Sequence, residues 1–197
     1  MRIIIAVAAA SALIASAAFA QQKAPPEANA FAKKVASANT FEVQSSELAK
    51  DRAQSSEVKS FADQMIVDHT KAGEDFKAAI QAANVSPPPA EEPDAKQKAT
   101  LTKLRNAQGA AAFEKAYVSA QLAAHKEAVS LFRNYSKSGR TASLKEFAQS
   151  TLPTLEHHLS MVQELNRPSG IAGKSTPKGS GGAAIGPPKE MPRSGKK

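Results

Sequence analysis

The chain of 197 residues contains no cysteine, and this absence excludes several kinds of chemistry. Disulfide bonds, thiol nucleophiles, thiolate metal sites and lipid anchors on cysteine are all ruled out. Before the C-terminal tail the glycines are isolated, at Gly73, Gly109 and Gly139, which excludes a glycine-rich phosphate loop. No serine lies in a G-x-S-x-G turn, so nothing indicates a hydrolase nucleophile. Aromatic residues are only 5% of the chain, which favours helices with slim, alanine-rich packing faces.

Long apolar runs are also absent outside the N-terminus, so a polytopic membrane protein is not indicated. Residues 1–20 are typical of a secretory signal peptide, with Arg2, an apolar run over 3–17 and a small-x-small cleavage site at 18–20. The alternative is an uncleaved membrane anchor, for which the run is short. We therefore expect an exported, periplasmic protein that begins at Gln21, with outer-membrane association as the less favoured location. Export argues against a nucleic-acid partner.

The net charge of +8 is concentrated in the C-terminal tail. Residues 21–165 hold 18 Lys/Arg against 17 Asp/Glu, whereas residues 166–197 hold seven against one. The tail is also rich in glycine and proline and lacks apolar periodicity, so we expect it to be disordered. It can act as an electrostatic tether to an anionic envelope surface, or it can be a solvated end without a partner.

Between a flexible segment at 21–27 and the tail, the sequence predicts one all-α domain over 28–165. Apolar residues recur at helical spacing in four long segments and one short segment. The predicted helices span 27–54, 57–83, 94–106, 110–138 and 142–165. Short breaks after the first and fourth predict two antiparallel hairpins, which together bury their apolar faces as a four-helix bundle.

Local signals refine these helices and their connection. Asp94 and Thr141 are predicted N-caps, Gly139 is a predicted C-terminal glycine, and Pro153 is expected to kink the last helix. The connection between the second and third long helices has about 25 residues, enough to run the whole length of the bundle. A ferritin-like up-down-down-up path is therefore allowed, though the length does not require it.

Each long helix carries one polar, ligand-type residue on its apolar stripe: Glu42, His69, His125 and His158. Counting turns from the hairpin loops places Glu42 and His69 at one height, about 20 Å from their turn, and His125 and His158 within about 4.5 Å of each other. If the hairpins pack at matched height, the four side chains converge. Asp68, next to His69, can bind a metal itself or orient an imidazole.

A glutamate with two or three imidazoles suits a single zinc, iron, manganese or copper ion. Buried polar groups without partners cost several kcal/mol, so something must satisfy them. The alternative to a metal ion is a closed hydrogen-bond network of Glu42 with the histidines, with or without water. His157 lies off the apolar stripe and is expected to point outward.

Three motifs in order resemble a family of bacterial domains of unknown function: Phe61-Ala62-x-x-Met65-x-x-Asp68-His69, Phe113-x-x-x-Tyr117 to His125, and Leu152-Pro153-Thr154-Leu155-x-x-His158-Leu159. The resemblance covers roughly residues 28–165. It implies a ferritin-like four-helix fold and an exported protein, often labelled an outer-membrane protein, and it implies no established activity. Because no Glu-x-x-His pair exists here, the carboxylate-bridged di-iron centre of ferritin-like enzymes is not expected.

Three functions fit these observations. The first is a non-catalytic envelope protein that acts through metal binding or protein contact, with a role in stress tolerance resting on fold analogy alone. The second is a metalloenzyme with a mononuclear Glu/His site and an open coordination position. The third is a structural or interaction module whose polar core only fixes the register of the helices.

Overall fold

The computed structural model describes residues 24–85 and 89–168. Within these ranges the chain is helical, without strands, and forms α1 (Pro26–Arg52), α2 (Ser56–Ala82), α3 (Ala95–Asn106), α4 (Ala110–Ser138) and α5 (Ala142–Leu165). The predicted signal peptide and nearly all of the predicted basic tail lie outside the described residues. None of the described helices combines the length and apolarity needed to cross a bilayer.

The four long helices form a ferritin-like up-down-down-up bundle. Three-residue turns join α1 to α2 and α4 to α5, and α1 also packs on α4 while α2 packs on α5. The carboxylate of Glu114, near the start of α4, accepts hydrogen bonds from the backbone N–H groups of Gln54 and Ser55 at 2.6 and 2.8 Å. Helix α4 therefore starts at the end of the bundle where α1 ends, and it runs in the same direction as α2.

The long crossover that this topology needs is built around α3, which lies along α1. At its start, the Asp94 N–H donates to Ser37 Oγ at 3.0 Å, and Ser37 Oγ donates to Gln97 Oε1 at 2.5 Å. At its end, the Arg52 guanidinium donates to the backbone carbonyls of Leu104, at 2.6 Å, and of Ala107, at 2.6 Å. Both ends of α3 are thus fixed to α1, which settles the crossover path that the length only allowed.

The ends of the helices confirm some local predictions and correct others. Asp94 forms a full capping box at the start of α3. Thr141 occupies the N-cap position of α5, but its side chain makes no capping hydrogen bond, so that prediction is wrong in its mechanism. Gly139 ends α4 with a φ of −59°, so no left-handed cap is formed. Glycine is needed there because a Cβ would lie 2.6 Å from the Tyr135 ring. Helix α5 remains one continuous element across Pro153.

The core of the bundle consists of two apolar clusters with a polar layer between them. One cluster, at the end where α1 begins, contains Phe31, Phe76, Phe132 and Phe147. The other cluster, at the end where α1 finishes, contains Phe61, Met65, Phe113, Tyr117 and Val162. Along every long helix one buried Glu or His falls between the residues of these two clusters: Glu42, His69, His125 and His158. The bundle therefore holds these four residues in one layer, with an apolar cluster on either side.

Candidate metal centre

Three of the predicted site residues meet at this level: His69 from α2, His125 from α4 and His158 from α5. One ring nitrogen of each histidine lies within 4.8 Å of those of the other two. The ring centroids are 5.5 to 5.9 Å apart. The residues are 7%, 0% and 1% exposed, respectively. We call these three residues the three-histidine centre.

His125 is held by the backbone of its own helix. Its Nδ1 lies 3.0 Å from the carbonyl oxygen of Gln121, one turn earlier on α4. A carbonyl oxygen only accepts hydrogen bonds, so Nδ1 carries the proton and Nε2 carries the lone pair. Burial lowers the pKa of His125 to about 4, so the ring is neutral at pH 7.

His158 is held by a carboxylate from the neighbouring helix. Its Nε2 lies 2.8 Å from Oδ2 of Asp68 on α2. Because a carboxylate accepts, Nε2–H is the donor and Nδ1 keeps the lone pair. The Gln64 amide also donates to Asp68 Oδ2, at 2.7 Å, and holds the carboxylate in place. Burial lowers the pKa of His158, while the hydrogen bond to Asp68 opposes that change.

His69 is held by an amide from the first helix. Its Nδ1 lies 3.0 Å from Oδ1 of Asn39 on α1. The amide oxygen accepts, so Nδ1–H is again the donor and Nε2 has the lone pair. Burial, together with the nearby His125 and His158, lowers the pKa of His69 well below its ordinary value.

Each ring therefore has one nitrogen fixed by an acceptor and one nitrogen without a hydrogen-bond partner among the described residues. The unpartnered atoms are Nε2 of His69, Nε2 of His125 and Nδ1 of His158, and all three are buried. Rings held neutral and oriented by acceptors on their far sides are the arrangement found around metal-bound histidines. The chemistry that this arrangement offers is three neighbouring imidazoles, each with one buried nitrogen that has a lone pair and no partner among the described residues.

Glu42 lies next to the three-histidine centre but outside the set of converging atoms. Its Oε1 is 3.9 Å from Nδ1 of His125, the nitrogen already bonded to the Gln121 carbonyl. Burial raises the pKa of Glu42 to about 8, with the Gln121 side chain opposing the rise. The carboxyl is therefore mostly protonated at pH 7, and His125 with Glu42 is not an ion pair.

Sequence reasoning found the three histidines, Glu42 and Asp68, but missed two residues of this layer. Asn39 is only half-buried and lies off the apolar stripe of α1. Gln121 is fully buried, and its side-chain amide donates to Ser45 Oγ at 2.9 Å. Only their spacing in the sequence could have indicated them: Gln121 precedes His125 by one helical turn and Asn39 precedes Glu42 by three residues, so each lies near a predicted site residue on its helix. His157 is exposed, as predicted.

Comparison with known proteins gives a family and a fold. A crystal structure of a DUF305 fragment from Deinococcus radiodurans superposes with a TM-score of 0.62 at 14% sequence identity, and the match covers 74% of this chain and 98% of that one. At this identity the likeness concerns the ferritin-like helical fold alone. No curated protein matches the sequence. The family described as a domain of unknown function, DUF4142, matches residues 14–165, and the chain belongs to this family.

Proposed function

We propose that the bundle binds one transition-metal ion through Nε2 of His69, Nε2 of His125 and Nδ1 of His158. Two observations carry the proposal: one ring nitrogen of each histidine lies within 4.8 Å of those of the other two, and each ring has one buried nitrogen without a hydrogen-bond partner among the described residues. Leaving three such atoms without partners costs several kcal/mol in a protein interior. A bound ion satisfies all three at once.

The separations between the ring nitrogens are compatible with a bound ion if the three rings move slightly closer together. Zinc bound at about 2.0–2.1 Å from each nitrogen requires nitrogens about 3.3 Å apart in a tetrahedral site. The converging nitrogens lie within 4.8 Å, so the rings approach one another by at most about 1.5 Å.

The donor set favours zinc, copper or iron over manganese. Imidazole suits the first three ions, whereas manganese prefers carboxylate oxygen. Glu42 is mostly protonated at pH 7 and faces the far side of His125, so it contributes no charge to the set. Asp68 supplies negative charge one hydrogen bond away, through His158.

We further propose that the protein acts in the cell envelope as a non-catalytic metal-binding protein. Signal-peptide features at 1–20 support export, and the burial of all three rings supports retention of an ion over turnover of a substrate. N-terminal sequencing of the protein from its native host tests export. A start at Gln21 is expected, and a protein that keeps residues 1–20 in the cytosol would contradict it.

A metalloenzyme is the second candidate, and the number of ligands favours it. Three protein ligands leave a fourth position open, as in catalytic zinc sites. Substitution with Co²⁺ and titration with azide distinguishes the two functions. A visible spectrum that changes with azide supports an open position, whereas an unchanged spectrum supports a closed binding site.

The metal proposal is tested by elemental analysis of protein purified without chelators, for the wild type and three single variants: His69→Gln, His125→Gln and His158→Gln. The matched control is His157→Gln, which changes an exposed histidine next to His158. Near-stoichiometric metal in the wild type and the control, with loss in the three variants, is the expected result. Adding the same ion to metal-free protein should also raise the melting temperature.

The proposal is wrong if the wild type carries no metal and gains no thermal stability from zinc, iron, manganese or copper. The three-histidine centre would then be a structural polar layer, satisfied by water and helping to fix helix register.

A further inference from the structure

The side chain of Asn39 is in contact with two residues of α2. Its Oδ1 lies 3.0 Å from Nδ1 of His69. Its Nδ2 lies where a Cβ at Gly73 would be 3.0 Å away, closer than ordinary van der Waals contact. Gly73 is one turn after His69 on the same face of the helix. Asn39 thus occupies a space beside His69 that exists because residue 73 has no side chain.

We infer that Asn39 is a positioning residue that sets the tautomer of His69, and that Gly73 is the residue that gives it room. The effect on metal affinity rests on the function proposed above. The tautomer is a property of the metal-free protein and is measurable by itself.

A neutral imidazole can bind a metal only if the correct ring nitrogen is unprotonated. The ring carries one proton and one lone pair, and only the lone pair can bind a metal. An amide oxygen at Nδ1 accepts a hydrogen bond, so it holds the proton there and leaves Nε2 free for the three-histidine centre. Without Asn39, nothing else among the described residues is hydrogen-bonded to either ring nitrogen of His69.

Gly73 has no backbone reason to be glycine. Among the described glycines only Gly109 has a positive φ, so the backbone at residue 73 is one that alanine adopts freely. Alanine is the better helix former in a helix interior. The contact with Asn39 is therefore what a side chain at residue 73 would disturb.

The experiment compares the wild type with Asn39→Ala, Asn39→Asp and Gly73→Ala, and uses Asn134→Ala as the matched control on an exposed face of α4. Long-range ¹H–¹⁵N spectra of the metal-free proteins at pH 7 report which nitrogen of His69 is protonated. Calorimetric titration with Zn²⁺ reports affinity, and urea unfolding reports stability.

We expect the wild type, the control and Asn39→Asp to keep the Nδ1–H tautomer, because a carboxylate oxygen accepts as an amide oxygen does. Asn39→Ala should shift His69 towards the Nε2–H tautomer and weaken zinc binding by about 10–100-fold. Gly73→Ala should change the tautomer in the same direction without lowering stability in urea. If either residue had a merely structural role, the His69 tautomer would not change while stability in urea stayed the same.

A wild-type His69 tautomer in Asn39→Ala overturns the inference whatever the zinc titration shows. An unchanged tautomer in Gly73→Ala overturns the part assigned to Gly73. If the wild-type protein binds no zinc and no other ion, the proposed function fails instead, and the spectra still decide the role of Asn39.

Discussion

Replacing Arg52 by alanine should destabilise the protein by about 3 kcal/mol, because this side chain joins the end of α3 to α1. The guanidinium donates to the carbonyl of Leu104 at 2.6 Å, of Arg105 at 2.9 Å and of Ala107 at 2.6 Å. It also lies 4.6 Å above the centroid of the Phe113 ring. Partly exposed hydrogen bonds to a charged donor contribute about 1 kcal/mol each here, and the cation–π contact adds about 0.5 kcal/mol. The last carbonyls of a helix lack the usual partner one turn later, so removing Arg52 takes hydrogen bonds from the C-terminal end of α3.

Urea unfolding followed by circular dichroism measures the effect. With a slope of about 2 kcal/mol per molar urea, the midpoint should fall by about 1.5 M. Arg52→Lys should recover less than half of the loss, since an ammonium group lacks the planar fork that reaches several carbonyls. The matched control is Arg133→Ala, which removes an exposed ion pair with Glu156 at 2.6 Å and should cost less than about 1 kcal/mol. If Arg52→Ala is as mild as this control, the crossover is not held by Arg52 and the reasoning is refuted.

Three further predictions concern the polar layer and the tail. Burial raises the pKa of Glu42 to about 8, so the folded state holds the carboxyl proton more tightly than the unfolded state does. The stability that this proton contributes is complete below the unfolded pKa near 4.5 and is lost as the pH rises towards 8. The metal-free Glu42→Gln variant has no such dependence. Its free energy of unfolding in urea should therefore rise relative to that of the wild type by about 2 kcal/mol between about pH 5.5 and pH 7.5, and a constant difference would contradict this. Asp68→Asn should weaken zinc binding about 10-fold in calorimetry by removing the charge behind His158, while the exposed control Asp63→Asn should leave affinity unchanged. Deleting residues 168–197 should abolish salt-sensitive binding to anionic vesicles in co-sedimentation, and binding equal to that of the full chain would remove the predicted tether.

The helical layout could be predicted from the sequence because it depends on local periodicity. Apolar residues at helical spacing marked every long helix, and the Glu and His residues on those stripes are buried in the fold. Counting residues from the two turns gave His69 the height of Glu42 and placed His125 close to His158, because each residue adds a fixed rise along the axis, but it left open whether the two hairpins pack at matched height. The fold class and the inward histidines therefore needed no tertiary information.

The rest of the polar layer depends on where each side chain points between the helices, which the spacing of residues along one helix does not determine. The height of Glu42 was predictable, but its carboxyl extends behind His125 and not into the three-histidine centre. Asn39 lies off the stripe of α1, and its contact with His69 depends on how closely α1 approaches Gly73. The cap expected from Thr141 failed for a similar reason, since the residue type permits a hydrogen bond without ensuring its geometry.

Because His69 belongs to the first hairpin and His125 and His158 belong to the second, neither hairpin alone contains the three-histidine centre. Each hairpin is closed by a three-residue turn and depends on contacts that are close in sequence, which form quickly. The pairing of α1 with α4 and of α2 with α5 must wait for the crossover at 83–109 to close a much longer loop. During refolding, the ring nitrogens of the histidines should therefore reach their native environment with the docking of the hairpins, after helix formation. A spectroscopic probe of His69 should therefore report when the two hairpins dock.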